Sequence, residues 1–316
     1  MTKDYDALRA ERLDQVSKKY RKQIARTPNA KDVGVKAMRA GMKMAMMTVR
    51  RAKGVSVRDI EIPGPAGPIP TRIFTPDGVE GPLGVAVNLH FGGFVAGGGI
   101  STFDGAHSTL ALAVGCAVVA PDFRLPPEHP FPAGIEDVWA VTNWVADNAA
   151  EQGWDNSRIA IGGGCSGGNL ASVIALMARD AGAPTLALQY PWSFPTDAHC
   201  DTESQREFAE GYGLEAADNQ FLISKYMGEN GSKDDWRVSP LLVPSVEGVA
   251  PAVMVVGEWD ILRDEVVQYA RRFEEAGVPV SLHIIPLEGH FPNPDNDNAG
   301  ETVLHKALSD RIGSTR

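Results

Sequence analysis

Residues 158–180, RIAIGGGCSGGNLASVIALMARD, constrain the chain more than any other stretch. A β-branched apolar run passes through a glycine-rich turn straight into a helix-forming segment. A strand that turns so sharply needs small residues. The apex residue is held in a strained backbone conformation, and the helix packs closely behind it. Turns of this kind mount nucleophiles, and two candidates stand side by side. Gly164-Cys165-Ser166-Gly167-Gly168 fits G-x-S-x-G, and one residue earlier the same spacing holds with Cys165 in the serine's place. The competing reading is a phosphate-cradling loop. No G-K-[ST] follows, however, and the G-x-G-x-x-G context is incomplete.

The flanking sequence supplies a sheet for this turn. Short β-branched runs fall at 56–62, 71–75, 84–90, 117–121, 158–162, 185–190, 252–257 and 279–285. Helical stretches at 102–114, 133–150, 166–180, 262–276 and 298–312 separate most of them. Pro/Gly turns join the first two or three strands and suggest antiparallel pairing, whereas the later alternation predicts a parallel sheet. Runs apolar throughout, such as GVAVNL and AVMVVG, fit strands covered by helices on both faces. The expected architecture is thus α/β, a mostly parallel eight-stranded sheet with helices on both faces.

Two segments stand outside the alternation. Residues 1–53 read as helices over 2–25 and 30–50, broken at Thr27-Pro28-Asn29. Met38, Met42, Met44, Met46 and Met47 lie on the second; such a cluster reads first as core packing and second as the lining of an adaptable apolar pocket. Residues 193–238 carry polar helical stretches near 202–210 and 214–228 and read as a cap inserted over the active face. The expected domains are an N-terminal helical cap segment (1–53), a core (54–192 and 239–316) and the cap insertion (193–238).

Charge narrows the partners. Net charge is −10, which argues against nucleic acid. Residues 1–53 hold 15 Lys or Arg against 5 Asp or Glu, so a basic segment faces an acidic remainder. Docking of one on the other is the plain account; a basic mouth for anionic substrates or an acidic carrier is the sharper one. Cys116, Cys165 and Cys200 form neither a disulfide framework nor a paired zinc spacing. No apolar leader and no membrane-length apolar run occurs, so a soluble cytoplasmic protein with reduced thiols is expected, without metal or cofactor.

In open α/β sheets, ligands bind beyond the carboxyl ends of the strands. After GVAVNL comes His90-Phe91-Gly92-Gly93, whose glycines leave backbone N–H groups free to line an oxyanion hole. After AVVAP comes a Pro-stiffened loop, Asp122 to Pro132, which reads as scaffold. After AVMVVG comes Asp260, where a triad acid would stand, and after the last strand comes His290. His283 and His305 fall inside a strand and a helix, and His129 lies between Glu128 and Pro130. The order nucleophile, Asp, His is that of the α/β-hydrolases.

From about residue 84 to 312 the chain resembles the bacterial hormone-sensitive-lipase-like esterases of the α/β-hydrolase fold. His90-Phe91-Gly92-Gly93 is similar to H-G-G-G, Asp122-Phe123-Arg124-Leu125-Pro126-Pro127-Glu128 to D-Y-R-L-A-P-E, and Asp260-Ile261-Leu262-Arg263-Asp264-Glu265 to D-P-L-R-D-E. The family's elbow reads R-I-A-V-G-G-D-S-A-G-G-N-L-A. Aligned without a gap, it puts Cys165 on the serine, Ser166 on the following alanine and Gly164 on the aspartate. The resemblance therefore implies a triad of Cys165, Asp260 and His290, with oxyanion donors from Gly92, Gly93 and Ser166. It also implies a helical cap and, as is typical of the family, a homodimer. Three departures stand out: Phe91 for a glycine, Gly164 for the aspartate, and Phe291 where H-G-F has glycine.

A thiol at a helix N-terminus beside an imidazole is expected to form a thiolate–imidazolium pair. It attacks well and also leaves well. Small-molecule activated esters, thioesters and lactones are then better substrates than alkyl esters. Three functions remain open: an ester hydrolase with a covalent acyl-cysteine, an acyltransferase or cyclase using a thioester donor, and a lyase-type member using His290 as base.

Overall fold

A computed structural model describes residues 5–25, 29–229 and 231–314. Its sheet has eight strands: β1 (Val55–Gly64), β2 (Gly67–Pro76), β3 (Leu83–Leu89), β4 (Ala117–Pro121), β5 (Trp154–Gly164), β6 (Leu188–Trp192), β7 (Ala252–Gly257) and β8 (Val280–Ile285), in the order β1-β2-β4-β3-β5-β6-β7-β8. Only β1–β2 and β2–β4 pair antiparallel; β3 runs parallel to both β4 and β5. Antiparallel pairing thus stops at the hairpin and its contact with β4, because β3 is reached by a crossover from β2 and not by a tight turn.

The helices sort onto two faces. α5 (Ala133–Asp147), α7 (Ser166–Ala181) and α10 (Arg263–Glu275) cover one, burying Val138, Val141, Val173, Leu176, Val266 and Phe273. α4 (Asp104–Val114) and α11 (Ala299–Ile312) cover the other through Leu110, Val114, Leu304 and Leu308. Short α6 (Ala149–Gln152) leads into β5. α7 is buried along most of its length, which accounts for its apolar sequence. Its close approach to the sheet fixes Gly167, where a Cβ would fall 2.3 Å from the Leu89 carbonyl oxygen.

β6 begins three residues later than its apolar run indicates and continues through Trp192. It is wedged between β5 and β7, pairing Gly164 with Trp192 on one side and Trp192 with Val255 on the other. Its end therefore opens between those of β5 and β7.

At the N-terminus the single helix expected over 2–25 is two, α1 (Tyr5–Asp14) and α2 (Lys18–Ala25), with residues 2–4 outside the described residues. Ser17 interrupts it by accepting the Tyr20 N–H on its hydroxyl at 3.2 Å, the bond of a helix cap. Of the expected break at Thr27-Pro28-Asn29, Thr27 and Pro28 lie outside the described residues; Asn29 precedes α3 (Ala30–Met46). In the stretch 202–210 only α8 (Glu203–Glu207) is helical, and α9 (Ala216–Met227) follows.

Val16, Tyr20 and Ile24 bury themselves against Phe208, Tyr212, Trp259, Ile261 and Leu262. Arg12 pairs with Glu207, Arg9 with Glu210 and Arg39 with Glu128, so part of the basic segment does face acidic partners. The part-exposed Arg9 and Arg39 pairs contribute only about 0–1 kcal/mol each. Apolar burial, not charge, is the larger contribution to holding the segment down.

Candidate active site

Strand order decides which loops meet. β3 lies beside β5, so the His90–Gly93 loop adjoins the turn after β5. β7 lies beside β8, so the loops carrying Asp260 and His290 adjoin each other. Cys165 occupies the apex of the β5–α7 turn with φ 49° and ψ −122°, a conformation that costs about 1–3 kcal/mol for a residue with a Cβ. Its N–H donates to the Trp192 carbonyl at 2.8 Å, and its carbonyl accepts from Gly168 and Asn169. These three bonds hold the strained turn. Ser166 is the first residue of α7 and is 2% exposed, so the residue presented to the pocket is Cys165.

Asp260 is fully buried and accepts the Leu262 N–H at 3.0 Å on Oδ1. His290 Nδ1 lies 3.0 Å from Asp260 Oδ2 and 3.2 Å from Oδ1. The carboxylate can only accept, so Nδ1 carries the proton and Nε2 is left for Cys165. Burial works against a charged imidazole here. The negative charge of Asp260 and that of an ionised Cys165 outweigh it, reinforced by hydrogen bonds to both, and hold His290 protonated well above the usual imidazole range.

The glycines of the β3 loop adopt φ values of 143° at Gly92 and 57° at Gly93. A Cβ would fall 2.2 Å from the Ala96 carbonyl at the first and 2.6 Å from Leu222 at the second, so neither position admits a side chain. Both line the pocket with Cys165 and His290. Phe91 and Gly164, two departures from the resembling family, prove to be neighbours: a Cβ on Gly164 would sit 3.8 Å from Phe91 Cβ and Cδ1. The aromatic ring takes up space beside the turn that a longer side chain at 164 would need.

The pocket encloses about 170 Å³ and is walled by Phe91, Trp192, Leu214, Leu222, Met38 and Met42. Two of the methionines of α3, Met38 and Met42, both pack against the cluster of Val95, Ala96 and Leu222 and line this pocket. None is fully buried, Met44 and Met47 are 73% and 74% exposed, and Met38 and Met42 face the catalytic pocket. An interior position would have needed apolar neighbours on every side, and α3 has them on one side only.

Tyr20 is a neighbour of the site that sequence reasoning did not place there. Its hydroxyl accepts the Gly289 N–H at 2.7 Å and donates to the Phe291 carbonyl at 2.8 Å, bracketing His290. Gln23 adds a bond to the Pro292 carbonyl at 3.0 Å. Burial raises the Tyr20 phenol, which keeps its proton for this double role. Tyr20→Phe is expected to lower kcat about tenfold with KM nearly unchanged, because a small misplacement of a reacting group is costly. Steady-state kinetics alongside thermal unfolding checks this. A lowered melting temperature with kcat within twofold of the parent would make Tyr20 merely structural.

An apex residue on a sharp strand–helix turn, a paired acid and histidine from two later strand ends, and a glycine loop beside them define the α/β-hydrolase class. Comparison with known proteins agrees. A family described as having the alpha/beta hydrolase fold matches residues 86–291, and the chain belongs to it. It is similar to the esterase LipI of Mycobacterium tuberculosis, 38% identical over 232 residues and covering 72% of each chain. The carboxylic ester hydrolase LipN of the same organism is 37% identical over 265 residues, 80% of this chain and 70% of that one. Among solved structures, a bacterial heroin esterase superposes with a TM-score of 0.87 at 28% identity, covering 95% of this chain and 98% of that one. This is a carboxylesterase-like enzyme fold.

Proposed function

We propose that this chain hydrolyses carboxylic esters of small molecules through a covalent acyl-thioester on Cys165. The observation that carries the reading is Cys165 at the apex of the turn, in one pocket with a histidine hydrogen-bonded to the buried Asp260. The esterase relatives support the substrate class.

The Cys165 thiolate attacks the ester carbonyl carbon, forming the C–S bond and moving the π electrons onto oxygen. The N–H groups of Gly92, Gly93 and Ser166 receive that oxyanion. Collapse expels the alkoxide, which takes the Nε2 proton of His290. Neutral His290 then draws a proton from water as that water attacks the thioester. The acid departs, and thiolate and imidazolium are restored. A tetrahedral intermediate expels its better leaving group, and thiolate leaves before an alkyl alkoxide. Aryl esters, thioesters and strained lactones are therefore the favoured substrates.

The apolar walls of the pocket favour one further reading, transfer of the acyl group to an amine or thiol in place of water. Intact mass and peptide mapping after mixing with p-nitrophenyl acetate or an acyl thioester test both. A transient acyl group on Cys165 that decays in water supports hydrolysis; one that persists until an amine is added supports transfer. An adduct on Ser166 refutes the thiol mechanism. No adduct, with Cys165→Ala turning over like the parent, leaves the lyase-type use of His290 as base.

A further inference from the structure

A second cavity of about 160 Å³ lies behind the nucleophile turn, between the carboxyl ends of β3, β5 and β6 and the helices α4 and α11. Its walls are mainly apolar, including Leu89, Phe103, Leu110, Tyr190, Leu304 and Leu308. Phe91, Gly164 and Trp192 line this cavity and the catalytic pocket alike, so these three residues form the partition between them. Gly164 contributes no side chain, and the Trp192 ring packs against Gly300 of α11 and the apolar cluster on that face of the sheet. The obstructing side chain is Phe91, packed edge-on against Phe103 with ring centroids 4.8 Å apart.

We infer that Phe91 sets the acyl-chain length this enzyme accepts, by closing off a second, apolar acyl-binding cavity that begins at Gly164. The inference rests on the hydrolase reading above. His290 must protonate the departing alkoxide, so the alcohol lies on the His290 side, with Phe291 and Pro292. None of those three residues lines the rear cavity. A chain entering it therefore runs away from the leaving group, which identifies it as the acyl part. At roughly 30 Å³ per water-sized group, 160 Å³ takes about five non-hydrogen atoms. With Phe91 in place, acyl chains that fit the front pocket are preferred. With Phe91 removed, uncharged unbranched chains several carbons longer gain a mainly apolar berth, with Asn88, His90, His107, Glu301 and His305 as its polar lining.

The test compares kcat/KM for p-nitrophenyl octanoate and acetate in the parent, Phe91→Ala and Phe91→Ala/Ala106→Trp. Ala106 lines the rear cavity from an exposed position on α4, so a larger side chain there fills the space without disturbing the core. The octanoate-to-acetate ratio is expected to rise about tenfold or more in Phe91→Ala, since each added methylene contact in a hydrophobic pocket contributes strongly to discrimination. Ala106→Trp is expected to return the ratio to near the parent value. A ratio unmoved by Phe91→Ala, or a rise that survives Ala106→Trp, overturns the inference while leaving the hydrolase reading intact. Failure of the parent to form an acyl adduct on Cys165 with acetate would instead overturn that reading.

Discussion

Cys165→Ala is expected to lower kcat/KM toward p-nitrophenyl acetate by about 10⁴-fold or more, and to abolish the acyl-enzyme seen by mass. Removing the nucleophile of a catalytic unit costs nearly as much as removing the whole unit, because the remaining members have nothing to activate. Turnover that remains comes from the glycine loop and binding alone. Cys165→Ser sharpens the test. It restores the atom that the resembling esterases use and takes away the easily ionised thiol. Residual activity in that variant is expected to shift from activated esters toward alkyl esters, because the serine alkoxide no longer leaves ahead of an alkyl alkoxide. A Cys165→Ala protein within tenfold of the parent would end the covalent mechanism.

Asp260→Asn is expected to lower kcat on the order of 10³- to 10⁴-fold with a correct fold. An asparagine oxygen still accepts the Leu262 N–H, so the buried loop keeps its bond. Its amide nitrogen, however, can only donate toward His290 Nδ1. The neutral ring must then carry its proton on Nε2, the atom that has to accept a proton from water in deacylation. The loss of charge has a second signature. Asp260 is a main reason that His290 stays protonated despite its burial. The high-pH fall in activity, where the imidazolium loses its proton, is therefore expected well above the ordinary histidine range in the parent and at lower pH in Asp260→Asn. A pH profile of kcat, read beside the magnitude, separates this from simple unfolding. An unmoved high-pH limb would show that Asp260 does not govern His290.

The surroundings of Asp260 and His290 show how closely the acid–base pair is embedded. Glu288 is 2% exposed, and burial pushes its carboxyl up to about 7 against the stabilising Asn293 N–H, with Asp260 adding repulsion. Glu265 is fully buried and is likewise pushed well up by burial; its Oε1 accepts the Thr196 N–H. Burial thus disfavours charge on both carboxyls that neighbour Asp260.

Much of this site was legible in the sequence because each part is local. The elbow is a strand, small residues and a helix in one run. The acid and the histidine follow strand ends, and the paired glycines announce backbone donors. Each signal is confined to a few consecutive residues, and the structure brings Cys165, Asp260 and His290 to one place with Gly92 and Gly93 beside them. What the chain could not declare locally was pairing across distance. Which strand β3 lies beside, and where β6 starts, depend on what each edge finds to bond. Tyr20 reaches the His290 loop across 269 and 271 residues; its helical spacing with Val16 and Ile24 marks it as buried, not what its hydroxyl bonds. The methionines of α3 gave the right composition for either a core or a pocket, and only the placement of α3 showed that Met38 and Met42 serve both. The pairing of Phe91 with Gly164 is of the same kind. Backbone propensity and strand-end motifs act over a turn or a strand, and the sequence alone determined those. Burial and hydrogen bonding between segments far apart in the chain are settled only when the whole sheet closes, and these decided which side chains wall the pocket and which hold the histidine.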